Sequence, residues 1–182
     1  MKRRDIPVYA ILHFLDIVVA SVAARLFSNI VVRLVDLFVE LDFFSASLIR
    51  VITLFVFSFA LIIFLSYKNG YREARFDKAE CMASASVAAL VHWLFGLLLG
   101  FIPKLGLSYT PWLFGATRHI AGFLAFGVNY NDSGRVEDIP LGLLALVGFL
   151  TACLIVLAAT LANYKGFRAR LAHRAELTRT NE

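Results

Sequence analysis

The sequence predicts an all-α integral membrane protein. The expected fold is a four-transmembrane-helix bundle, with an amphipathic segment after helix 1 and an interfacial or re-entrant helix between helices 3 and 4. Three observations predict it. Of the 182 residues, 60% are hydrophobic, whereas a soluble domain is roughly half apolar. The apolar residues come in blocks of membrane length, not at the spacing of a half-buried helix or strand. Lys and Arg gather beside those blocks, as cytoplasmic loops require.

The blocks place spans at about 7–25, 46–67, 81–102 and 140–164, forming one membrane domain over 1–164 with a basic cytoplasmic tail over 165–182. Span one opens at Asp5 and Pro7. The acid caps the helix, and a proline in the first turn gives up an N–H that has no partner there anyway. The basic Met1 to Arg4 start followed by an apolar run superficially matches a signal peptide, but three more apolar blocks follow, so a retained span is expected.

From Arg25 to Asp42 the polar residues Arg25, Asn29, Arg33, Asp36 and Glu40 recur every three or four positions. On a helix they form one narrow stripe. No Gly or Pro lies between Pro7 and Gly70. Two readings follow: a very long first helix, or a separate interfacial helix, which the polar stripe favours. The stripe would then face water or a partner subunit. A turn near Asp42 to Ser45 starts span two. Asn69-Gly70 reads as that span's C-cap, and a short connector of mixed charge leads to Cys81.

Span three has a small-residue first half, Ala83 to Ala89, and a Gly96/Gly100 pair suited to close helix packing. Pro103 stops it. Residues 111–127 are apolar enough to touch the membrane, but Arg118 at mid-bilayer would cost about 2.5–3.5 kcal/mol, so a fifth span is not expected. Span four opens at Asp138-Ile139-Pro140. The N-terminus, the 68–80 connector and the tail hold twelve of the eighteen Lys and Arg. Both termini are therefore expected in the cytoplasm, with the protein in a plasma (inner) membrane. The same rule explains the net charge of +5 without a nucleic-acid partner. The basic tail has a lipid-binding reading as well.

Ionisable residues within spans are the first site candidates, because they are costly there. They are His13 and Asp16 on span one and His92 on span three. His13 and Asp16 share a helix face. Counting the helical rise from each helix start puts Asp16 about 14 Å deep and His92 about 16 Å deep. The expectation is that Asp16 and His92 meet in the core with His13 nearby, relaying protons or holding a polar substrate. The ordinary alternative is a structural hydrogen bond between helices. A second group, Arg50, Arg118 and His119, is a candidate outer polar site for an anion, against simple snorkelling. Cys81 and Cys153 are expected at different depths and unpaired. No catalytic motif, cofactor fingerprint or metal-ligand spacing is present.

Three functions follow in order. The first is a transporter-like protein or transport-complex subunit working as an oligomer. The second is a non-catalytic accessory or assembly subunit of a membrane complex. The third is a small membrane enzyme acting on a lipid-linked substrate. The expected partners are the lipid bilayer and either further copies of the chain or a membrane partner subunit.

Overall fold

The computed structural model describes residues 6–73, 75–100, 120, 121, 123, 124 and 140–180. They form four long helices: α1 (Ile6–Phe38), α2 (Phe43–Arg72), α3 (Lys78–Gly100) and α4 (Leu141–Thr180). Each is long and apolar enough to cross a membrane. No strand occurs among the described residues.

Helix ends follow their local chemistry. Asp36 Oδ1 accepts the Leu41 N–H at 3.2 Å beyond the end of α1. Asp42 caps α2, its Oδ1 accepting the Ser45 N–H at 2.9 Å. Asp77 does the same for α3, accepting from Ala79 at 2.9 Å. The Pro140 carbonyl takes the Leu143 and Leu144 N–H groups and starts α4.

Two expectations about element ends are corrected. No separate interfacial helix forms over 25–42, because α1 runs unbroken past Arg25 to Phe38. With 33 residues it is about 50 Å long, well beyond a bilayer's ~30 Å hydrocarbon core. The chain offers no Gly or Pro to break it. Asn69-Gly70 does not end α2 either. The helix continues to Arg72, and the Glu73 N–H closes the last turn on the Gly70 carbonyl. At the other end of the chain, α4 carries Lys165, Arg168, Arg170 and Arg174 on the same helix as the fourth apolar block.

The four helices form a ring in the order α1, α2, α4, α3, with α1 and α4 each packed on both α2 and α3. The core is made of small residues. Ala20, Ala24, Ala85, Ala88, Ala89, Ala159, Ser28, Ser66 and Ser84 are buried, while Ile11, Val56, Phe64, Leu98 and Leu157 are exposed. That distribution suits helices bathed in lipid, where small residues let backbones approach and large apolar ones face the chains. Aromatic pairs bind neighbours together. Phe27 stacks on Phe57 between α1 and α2, and Trp93 meets Phe149 edge-on between α3 and α4.

The tightest crossing lies between α2 and α4. A Cβ added at Gly70 would land on the Asn163 carbonyl, and one added at Gly166 would land on the Tyr67 carbonyl. Here glycine is required because another backbone occupies the side-chain space. Beside this crossing, the Arg170 guanidinium donates to the Arg72 and Glu73 carbonyls and so caps α2 from a neighbouring helix.

Candidate functional site

The crossing of α2 and α4 sits at the end of the bundle that carries the α2–α3 connector. Polar side chains converge there. Asp16 on α1 accepts a hydrogen bond from Asn69 on α2, Nδ2 to Oδ2, at 2.7 Å. Asn69 lies three residues before the end of α2, so Asp16 is closer to the connector face than the rise along α1 suggests. Counting residues from the start of α1 therefore overstates how far Asp16 lies from the connector. Asn163 on α4 donates from Nδ2 to Cys81 Sγ on α3 at 3.4 Å. Each of the four helices therefore contributes to the cluster.

His13 and Asp16 line one cavity of about 10 Å³, together with Ile17, Ile62, Ser66, Ala85, Ile155 and Ala159. His13 also lines a second cavity of about 20 Å³ toward the connector, with Tyr9, Glu73, Arg75, Asp77, Glu80 and Cys81. The imidazole is buried and forms part of both walls. Burial pushes the Glu73 carboxyl above its ordinary range. Arg75 and Asp77 make an exposed ion pair at 3.9 Å, which contributes little to stability.

The structure thus brings two of the sequence candidates, His13 and Asp16, into one cavity. His92 is buried elsewhere in the core, edge-on to Phe14 at 6.3 Å between ring centroids, and is not among the residues lining the Asp16 cavity. Arg50 is half-buried on α2, and its carbonyl accepts from Ser28 Oγ at 3.2 Å and Thr53 Oγ1 at 3.1 Å. Arg118 and His119 lie outside the described residues. So does most of the 111–127 segment. Its residues 120, 121, 123 and 124 are helical, with Ala121 buried against Leu144 and Val147.

Sequence reasoning missed Asn69, Ser66 and Asn163, and it placed close helix packing at Gly96 and Gly100. Gly96 is half-buried near the end of α3, whose last residue is Gly100. A search for two glycines on one helix does not find Gly70 and Gly166, which are a pair only across two helices.

Cys81 is a half-buried free thiol, and Cys153 is an exposed one on the outer face of α4. Among the described residues no group of three His, Cys, Asp or Glu side chains is placed to hold a metal ion. Comparison of the chain with protein-family models, with curated proteins and with solved structures finds no match.

Proposed function

We propose that this chain is a small multi-pass transporter-like membrane protein, or a subunit of a transport complex, working as an oligomer. Asp16 is the group that binds a proton or small cation. One observation carries the reading. Inside the bundle, a carboxylate is held by a neutral amide, Asn69, beside an internal cavity. A neutral donor orients the carboxylate without cancelling its charge. An ionisable group in such a setting is expensive and is a functional candidate by default. The two cavities beside His13 are water-sized, so a larger cargo would pass between protomers or beside a partner subunit. Both termini and the connector face the cytoplasm in this reading, in keeping with the basic residues on them.

The test is flux into proteoliposomes loaded with a pH-sensitive dye, under imposed proton and alkali-cation gradients. The expected result is flux in the wild type, abolished in Asp16→Asn while the oligomer elutes unchanged. Equal flux in the two proteins would overturn the assignment.

A second reading, the accessory or assembly subunit, is favoured by the tip of α1. Leu37 and Phe38 are 78% and 85% exposed there, next to the exposed Arg33, Asp36 and Glu40. Such a mixed surface suits a protein partner. Purification in mild detergent separates the readings. A pure homo-oligomer supports transport, and a stoichiometric partner supports the accessory role. An enzyme acting on a lipid-linked substrate would require an open cleft at the polar end, and the cavities there admit only water-sized species.

A further inference from the structure

The cluster contains polar atoms with no bonding partner. Ser66 is completely buried, and its Oγ has no hydrogen-bond partner. Three hydroxyls elsewhere in these helices bond back to their own backbone: Ser21 to the Ile17 carbonyl at 2.8 Å, Ser58 to Leu54 at 2.6 Å, and Thr151 to Val147 at 2.8 Å. Ser66 does not, and it lines the same cavity as Asp16 and His13. In the cavity nearer the connector, Glu80 Oε2 is likewise buried and unpartnered. Each cavity therefore contains one orphan polar atom.

Burying a polar atom unsatisfied costs about 1–3 kcal/mol, and such atoms commonly bond to internal water. A water needs about 10–15 Å³ and two to four polar partners. The two cavities measure about 10 and 20 Å³. The first offers His13, Asp16 and Ser66 as partners. The second offers Tyr9, His13, Glu73, Arg75, Asp77, Glu80 and Cys81. Both size and chemistry match one water each.

We propose that these cavities hold ordered water and form a proton entry path from the connector face to Asp16, with His13 as the relay between them. A proton from the connector-side water adds to one imidazole nitrogen of His13. The proton on the other nitrogen leaves to the inner water, which passes one to the Asp16 carboxylate. Charge moves and no bond other than to hydrogen changes. The groups facing the path are Tyr9 and His13 from α1, Ser66 and Asn69 from α2, and Glu80 and Cys81 from α3. Glu73, Arg75 and Asp77 come from the connector. The side chains from α4, Ile155 and Ala159, are apolar. Beside Asp16 packs an apolar cluster with Ile17, Ala20, Ile62, Ala89 and Ile155, and the buried hydroxyls of Ser21 and Ser58 further along bond to their own helix backbone. The path therefore runs toward the connector, and the apolar cluster lies on its other side.

This path deepens the transport reading and rests on it for its purpose, but its test reads hydration and not flux. Water-edited solid-state NMR of the full chain in bilayers measures magnetisation transfer from water to labelled side chains. Transfer to Ser66 is expected to build up several-fold faster than to Ala20 and Leu54, which are equally buried, and transfer to the half-buried Asp16 and Glu80 faster than to the half-buried Phe14. Ser66→Val fills the inner cavity and is expected to slow transfer to Asp16 while Glu80 keeps the wild-type rate. Ala85→Val, from another helix, is expected to do the same. Transfer to Ser66 as slow as to Ala20, or transfer to Asp16 undiminished in both variants, overturns the path. A hydrated Asp16 with unchanged flux in Asp16→Asn removes the transport reading alone. A dry Asp16 whose loss abolishes flux removes the entry path alone.

Discussion

Asn69 donates a 2.7 Å hydrogen bond to the carboxylate of Asp16, joining α2 to α1 across fifty-three residues of sequence. The bond lies at the connector end of the bundle and sets the position of a carboxylate that lines a cavity walled by side chains of all four helices. Removing its donor leaves that half-buried carboxylate without its amide. Asn69→Ala is expected to cost about 1–3 kcal/mol. In a double-mutant cycle, Asp16→Ala and Asn69→Ala should couple by on the order of 1 kcal/mol, as polar contacts between membrane helices do. Reversible unfolding in mixed micelles measures it. Additive effects would mean that the bond contributes nothing.

The α2–α4 crossing gives a contrast among glycines. At Gly70 and Gly166 a methyl group meets backbone, which cannot rotate away. Gly70→Ala and Gly166→Ala should each destabilise by about 1–3 kcal/mol through overpacking. At Gly142 nothing lies within 4 Å of the added Cβ. Gly142→Ala should be neutral or gain up to about 1 kcal/mol from helix propensity. Thermal unfolding of the three variants in one detergent checks the order.

Helix number was legible in the apolar blocks, and so was the start of α2 at Asp42, because caps are local chemistry. The continuity of α1 was legible as well, in the absence of Gly and Pro, but the polar stripe from Arg25 to Glu40 weighed the other way. A stripe records which face meets water or protein and says nothing about whether the helix is broken. The site was half legible. The cost of an ionisable group in an apolar block marks Asp16 and His13 from sequence alone. The partner of Asp16 depends on which helices are neighbours and how far each slides along its axis. Neither is written in a helical period, and so Asn69 read as a cap residue and His92 as the partner.

Asp42 makes the start of α2 sensitive to acid. Hydrogen bonds from Ser45 hold its carboxyl below the ordinary range. The depressed folded value means that the stabilisation is present above the unfolded value and is lost as pH falls through the folded one. Amide exchange at Ser45 and Ala46 should therefore accelerate on acidification. Asp42→Asn should keep the cap and lose most of the pH dependence, whereas Asp42→Ala should exchange fast at every pH. Exchange at these amides that does not change with pH in the wild type would contradict the assignment. Glu73, raised by burial, has the opposite sign: its contribution is present in acid and is lost as pH rises through its folded value.

The central claim is that Asp16 is an internal binding group open to one face of the bundle. The most direct measurement is the carboxyl carbon signal of Asp16, assigned by its loss in Asp16→Asn, in vesicles of uniform protein orientation with pH changed on one side at a time. The signal is expected to follow the pH on the side of the α2–α3 connector and to be indifferent to the other. A signal that follows only the far side, or neither side, would contradict it.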